Sequence, residues 1–274
     1  MGDALGDVLL ADEPRHNLPL GLLATAQAQP EVYPDVVGWV VRERNGVVGG
    51  ALRTPPHNLI LLRPARDGVL EALADSVDIE LPGVVGAVPE VDAFAAAWAR
   101  RHELDATTKV EQRIYALREL VAAPRRGTGE LRLAGQRDRS LVLERFLAFG
   151  EEIGEHDDEQ LERSVDARLA SDDAGVGLWL LDGEVVSIAG FGGPTPNGIR
   201  IGPVHTPGPL RGRGYGTAVT AAVTRLQLDR GRRFCFLYTD LANPTSNAIY
   251  QRLGYEPVCD SRLVAFTARP AATA

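Results

Sequence analysis

Apolar and polar positions along the chain recur with two periods, and these set out an ordered series of strands and helices. From residue 129 onward, "ELRLA" alternates as a short strand, and "DRSLVLERFLAFGEEI", marked by Leu141, Arg145 and Phe149, reads as a helix. A second helix is predicted from Asp157, with Leu161, Val165 and Leu169 spaced by four. "VGLWLLDGEVVSIAGFGG" gives two strands about Asp182-Gly183, a pair suited to the positive φ angles of a tight hairpin. A third strand, "NGIRIGPVHT", follows a turn at Asn197-Gly198, and then comes a helix to about Arg230 with Val219, Val223 and Leu226 on one face. Gly231 is placed to end that helix. "FCFLYTD" is a continuous buried-type strand, "NPTSNAIYQRLG" a helix stopped by Gly254, and "YEPVCDSRLVAFTA" a closing strand.

The first half repeats this order. "VVGWVVRERNGVVGGALRT" is two alternating strands about Asn45-Gly46, and "NLILL" takes the place of the third. "GVLEALADSV" is helical, "PGVVGAV" a strand, "EVDAFAAAWARRH" a helix and "KVEQRIYAL" a strand. Between the halves, "VAAPRRGTG" at residues 121 to 129 has no apolar periodicity and reads as a linker, so the boundary is expected near Gly127. The expected fold class is mixed α/β of the α+β type, with two halves, 1–126 and 127–274. Each is a central, mostly antiparallel sheet flanked by helices.

Composition narrows the function classes. The chain has 274 residues, 45% hydrophobic and 24% charged, which is ordinary for a globular protein. A formal net charge of −8 argues against a broad nucleic-acid-facing surface, so no nucleic-acid partner is expected. No apolar run is long enough to span a bilayer and the N-terminus lacks a secretory pattern, so neither a membrane partner nor export is expected and the reading is cytoplasmic. Cys235 and Cys259 are too few for a disulfide framework and lack metal-ligand spacing; they read as reduced, partly buried thiols, and no metal site is expected.

The stretch "PLRGRGYGTAV" carries the strongest chemical signal. Three glycines and two arginines in six residues open a helix, whose N-terminus presents unpaired N–H groups and about half a positive charge. Glycines allow successive amides to turn inward without a Cβ in the way. Arg211, Gly212, Arg213, Gly214, Tyr215 and Gly216 therefore form a candidate pyrophosphate cradle, with the helix expected from Thr217. The plain alternative is a strand-to-helix turn with solvated arginines. The first half has "RPARDG" in this place, with one glycine and an aspartate. The loop lacks the lysine and Ser/Thr of a P-loop and follows an antiparallel meander, which weakens nucleoside-triphosphate and dinucleotide readings.

"VHTPGPLRGRGYGTAVTAAV" resembles the acyl-CoA loop of the GCN5-related N-acetyltransferase (GNAT) family, Arg/Gln-x-x-Gly-x-Gly/Ala, with Arg211, Gly214 and Gly216 in register. "NPTSNAIYQRLGY" is similar to that family's following segment, with Asn243, Ser246, Tyr250, Gly254 and Tyr255 in register. The resemblance covers about residues 129 to 268; for the first half it rests on element order and implies a degenerate second copy without the CoA loop. It implies an acetyl-CoA-dependent N-acetyltransferase acting on a primary amine of a small-molecule or peptide acceptor, with acetyl-CoA as co-substrate. The fourth strand is expected to part from the fifth, so that Val204, His205 and Thr206 face the pantetheine arm and the thioester oxygen. Arg211 to Thr217 would take the pyrophosphate, Asn243 and Ser246 would add cofactor contacts, and Tyr250 would protonate the departing thiolate. Asn243, which precedes Pro244, also reads as a helix N-cap.

No carboxylate lies in "GIRIGPVHT", where the family often places a base. His205 is a candidate by chemistry, although strand alternation can turn it from the cleft; a water relay or a neutral acceptor fits equally. The acidic run from Glu151 to Glu162 reads as a solvated helix end capped by Asp157 or Asp158, or as an attractor for a cationic amine. The rival reading is a non-catalytic acyl-CoA-binding or sensing module. A homodimer stays open.

Overall fold

The computed structural model describes residues 2–44, 46–121, 129–154 and 157–269. In chain order the elements begin with α1 (Gly2–Ala11), α2 (Asn17–Ala28), β1 (Val37–Glu43), β2 (Gly46–Arg53) and β3 (Leu59–Leu61). Then come α3 (Val69–Ser76), β4 (Gly83–Ala87), α4 (Val88–His102), β5 (Leu104–Leu117) and β6 (Glu130–Leu133). Next are α5 (Arg139–Ile153), α6 (Asp158–Leu169), β7 (Gly175–Leu181), β8 (Glu184–Gly192) and β9 (Gly198–His205). The series closes with α7 (Tyr215–Asp229), β10 (Phe234–Asp240), α8 (Pro244–Leu253) and β11 (Glu256–Ala268). The chain divides into two compact units. The first takes Met1–Ile114, Thr239–Asn243 and Val258–Ala274, and the second takes Tyr115–Tyr238 and Pro244–Pro257. The expected boundary and the Asn45 turn position lie outside the described residues. The unit with the glycine loop thus draws Tyr115–Leu117 from before the expected boundary and gives up the strand from Val258.

Unit 1 is a sheet in the order β1-β2-β3-β4-β11-β5. β1, β2 and β3 are antiparallel neighbours, β3 and β4 are parallel, and β11 runs antiparallel to β4. The pairing of β4 with β11 explains why the C-terminal strand belongs here: Val84 lies opposite Val264, and a Cβ on Gly83 would sit 2.4 Å from the Val264 carbonyl oxygen. The core combines Leu59, Leu61 and Val84 with Leu70 and Leu73 of α3 and Val91, Phe94 and Trp98 of α4. A smaller cluster joins Leu5 and Leu9 of α1 to Leu52 and Leu62; neither α1 nor α2 was read from the sequence pattern.

His16, between α1 and α2, fastens that cluster. Its Nδ1 lies 3.1 Å from the Leu9 carbonyl oxygen, and its Nε2 accepts from the Arg63 backbone N–H at 3.0 Å. A ring that donates through Nδ1 and accepts through Nε2 is neutral. Burial is the largest cause of its lowered pKa, with the Leu9 hydrogen bond opposing. The unfolded chain, with an ordinary value near 6.5, binds this proton more readily than the folded one. The contribution of His16 is therefore present above pH 6.5 and lost as pH falls below it toward the lower folded value. We expect the melting temperature to drop between pH 7.5 and pH 5, with a shallower drop in His16→Gln, as a thermal melt series at fixed ionic strength would show.

Unit 2 is an antiparallel meander, β6-β7-β8-β9, extended by β10 parallel to β9 and by the end of β5 beside β10. The β7–β8 turn forms as the sequence predicts, with Asp182 at φ 50° and Gly183 at φ 86°. Side chains alternate across the sheet. Val176, Leu178 and Ile188 meet Val142 and Phe146 of α5 and Val165 of α6 on one face. Ala189, Phe191, Ile199 and Ile201 meet Val219, Ala221 and Val223 of α7 on the other. The buried residues of α5 are Val142, Phe146 and Gly150, spaced by four along one face. Asp157 is the N-cap of α6: its Oδ1 accepts from the Gln160 backbone N–H at 3.0 Å. In both units the architecture is mixed α+β, a sheet flanked by helices.

Candidate active site

Strand β9 has two different neighbours. Its parallel register with β10 covers only Phe234–Phe236 opposite Gly198–Arg200, so among the described residues the two strands are unpaired beyond Arg200. Toward β8 the register shifts between Ala189 and Phe191, then resumes with Ala189 opposite Val204 and Ile188 opposite His205. The cause is local. Gly202 has φ 142°, Pro203 has no N–H to give the ladder, and a Cβ on Gly190 would meet the Gly202 carbonyl oxygen at 2.6 Å. Val204 to Thr206 therefore continue beyond the last β9–β10 pair.

The two side chains at this end point apart. Val204 packs against the core cluster that includes Val219 of α7, and His205 turns toward α5, where its Nε2 lies 3.6 Å from a Glu152 carboxylate oxygen. His205 is buried, and its pKa is lowered chiefly by that burial; Glu152 opposes the shift, while Arg145 and Arg211 reinforce it. The backbone here is partly engaged already. The Ser187 hydroxyl donates to the His205 carbonyl at 3.2 Å and lies 2.8 Å from the Thr206 hydroxyl. Arg211 Nε donates to the Thr206 carbonyl at 2.8 Å.

The glycine loop follows directly. Gly212 and Gly214 adopt left-handed φ angles of 76° and 84°, and a Cβ at either would meet no atom within 4 Å. Gly214 is the N-cap of α7, without a side-chain cap, and the Ala218 N–H to Gly214 carbonyl bond, 3.0 Å, is the first of the helix. The amides of Tyr215, Gly216 and Thr217 precede it and have no helical acceptor. The helix starts at Tyr215, two residues before the expected Thr217, because the left-handed Gly214 sets the turn. Gly216 has a separate reason to be small: its Cβ would lie 3.3 Å from Thr206 Oγ1, so the helix start is pressed against the end of β9. Arg211 to Gly214 are exposed and Tyr215 to Thr217 half-buried. Arg213 Nη2 reaches the Pro209 carbonyl at 3.4 Å, and Arg211 Nη2 donates to Glu152.

On α8, the Tyr250 ring packs edge-to-face on Tyr255, with centroids 6.0 Å apart, against the same core cluster as Val204. Burial pushes its pKa up to about 12, so the hydroxyl keeps its proton throughout the neutral range. Tyr255 in turn is 2.7 Å from the Thr224 hydroxyl of α7. Ser246 is half-buried in the first part of α8. Asn243 falls in the Thr239–Asn243 segment of unit 1, where its N–H donates to the Asp240 carbonyl at 3.1 Å. The other predicted site residues all fall in unit 2. Burial raises the Cys235 thiol to about 12 and the Cys259 thiol to about 11, so neither offers a thiolate nucleophile at neutral pH.

Among the predicted residues, Arg211 is thus hydrogen-bonded to Thr206, His205 and Arg211 share Glu152, and Gly216 lies close to Thr206. Sequence reasoning missed Ser187 and the specific partnership of Glu152. Ser187 is a buried polar residue within an apolar strand, which is the one signal it gave. Glu152 was submerged in an acidic run.

Residues 141–255 match the model of the Acetyltransferase (GNAT) family. No curated protein matches the sequence. Among solved structures, a GNAT-family acetyltransferase from Colwellia psychrerythraea is 15% identical with a TM-score of 0.59, over 98% of this chain and 97% of that one. A Drosophila protein reaches a TM-score of 0.71 at 13% identity, over 97% and 95%. A tandem GNAT protein from the clavulanic acid biosynthesis pathway gives 0.52 at 17% identity, over 86% and 84%. Such identities speak to fold and not to substrate. Residues 141–255 are thus similar to the GNAT family, in a fold that solved GNAT proteins share along most of this chain's length.

Proposed function

We propose that this chain is an acetyl-CoA-dependent N-acetyltransferase that uses unit 2 to transfer an acetyl group to a primary amine by direct attack on the thioester. The observation that carries this reading is the uncapped start of α7. There, two left-handed glycines leave open space before unspent amides, beside a strand that has parted from its parallel neighbour. Acetyl-CoA supplies a pyrophosphate to be held and an activated acyl group to be displaced, and the residues fit it.

The amides of Tyr215, Gly216 and Thr217, with those of Gly212 to Gly214, would hold the pyrophosphate, and Arg213 adds charge. Val204 to Thr206 would line the pantetheine arm, and an amide there aimed at the developing oxyanion contributes to the rate. Ser246 would be a further cofactor contact. Tyr250 would donate a hydrogen bond to the leaving sulfur. With a pKa of about 12 it is a weaker acid than a thiol of about 8.5, so full proton transfer is uphill and the stabilisation grows as thiolate develops. His205 is buried against α5, which suits it to supporting the loop; the acceptor amine then loses its proton to water or arrives neutral.

The corresponding position of unit 1 supports a single cofactor site. Gly68 there is also a left-handed N-cap, at φ 81°, but Arg66 is paired with Glu43 and Arg63 with Asp12. What sets the two loops apart is acid at the helix start: Asp67 precedes the N-cap where unit 2 has Arg213, and Glu71 lies in the first turn of α3 while α7 has no acidic residue there, which makes this a poor phosphate cradle. The proposal predicts that acetyl-CoA and CoA raise the melting temperature while an unrelated nucleotide does not, and that amines from a panel release thiol from acetyl-CoA. Stabilisation without thiol release from any amine would favour the non-catalytic module.

A further inference from the structure

Helix α8 holds to the core through Leu253, its one fully buried residue, and through Ile249 and Tyr250, which pack partly buried against the same cluster. A polar contact comes from Tyr115, near the end of β5, which lies outside the family-matched residues 141–255. Tyr115 has no exposed surface. Its hydroxyl donates to Asn247 Oδ1 at 3.0 Å and accepts from Gln251 Nε2 at 3.2 Å. A buried phenol needs a hydrogen-bond partner, and many arrangements supply one. Here both partners are side chains of one helix, four residues apart and therefore on one face, one turn from each other. A single oxygen bound at two successive turns fixes both the height of the helix along its axis and its rotation about it.

Tyr250 lies between those two contacts, three residues after Asn247 and one before Gln251. Among the described residues it is held by its ring, through packing on Tyr255 and the core. Where its hydroxyl sits is thus decided by how α8 sits. We propose that Tyr115 is a positioning residue that acts through Tyr250, placing its hydroxyl for acyl transfer; this rests on the role for Tyr250 given above. The chain before the family-matched residues then contributes directly to the working site, because the strand that carries Tyr115 completes unit 2.

The test is a double-mutant cycle on turnover. Tyr115→Phe keeps the ring in the core and removes one oxygen. We expect kcat to fall about tenfold, a modest share of what a 1 Å misplacement can cost, with the KM for acetyl-CoA within about twofold. In a Tyr250→Phe background, the same change should have no further effect on kcat, because the group it positions is gone. Asn247→Ala, which removes a partner from the half-buried helix face and leaves the core ring in place, should lower kcat in the same direction. Wild-type kcat in Tyr115→Phe and Asn247→Ala, or an equal fractional loss in both backgrounds, would overturn the proposal and leave Tyr115 a general structural residue. A fully active Tyr250→Phe enzyme would overturn the underlying reading and the proposal with it, so the two failures are distinguishable.

Discussion

Tyr250→Phe is expected to lower kcat by about 10² to 10³, the usual range for one lost hydrogen-bond donor to developing charge, while acetyl-CoA affinity changes little. The ring stays, so its edge-to-face contact with Tyr255 and its place against the core survive. Its hydroxyl makes no hydrogen bond to the described residues, and deleting a polar group without a partner costs a fold little. The melting temperature should therefore stay within a few degrees of wild type. This separates the chemical role from a packing one: a tyrosine that serves only through its ring would keep turnover as well as stability in this variant. The raised pKa adds a second expectation. Activity should show no alkaline loss from Tyr250 until pH approaches its value of about 12. Turnover, melting temperature and a pH profile on one preparation decide the matter, and a stable Tyr250→Phe protein with full activity would remove this residue from the mechanism.

Gly214→Glu should sharply weaken cofactor binding while the protein still folds. A Cβ at Gly214 meets nothing within 4 Å, so the side chain has room, and the penalty is the left-handed backbone at φ 84°. That costs about 1–2 kcal/mol for a residue with a Cβ. A carboxylate about 4 Å from a phosphate at an effective dielectric near 20 adds repulsion of about 4 kcal/mol. The full repulsion lowers affinity by about 10³-fold and half of it by about 30-fold, since 1.4 kcal/mol is tenfold. Gly214→Ala separates the two effects, because it carries the strain without the charge. It should keep most of the affinity, and circular dichroism should show both variants folded.

Much of unit 2 was legible because its signals are local. The Asp182-Gly183 turn, the Asp157 cap and the glycines at 231 and 254, with φ 91° and 102°, each follow from the conformations those residues permit. The glycine loop was legible for the same reason. What escaped the sequence was pairing between distant segments. Nothing in "YEPVCDSRLVAFTA" says that Val264 will lie opposite Val84, and nothing in "RIYAL" says that Tyr115 will reach Asn247 and Gln251. Strand partners are chosen by register and tertiary packing, which a local period does not encode. Glu152 shows the same limit on a smaller scale. An acidic run reads as solvated until the fold brings Arg211 and His205 beside one of its members.

The central claim is that a single acyl-CoA site is built on the start of α7. Calorimetric titration of acetyl-CoA into wild-type and Gly214→Glu protein tests it most directly. We expect one molecule bound per chain in the wild type and binding weaker by about 30-fold or more in the variant. Two molecules per chain, or equal binding by both proteins, would contradict it.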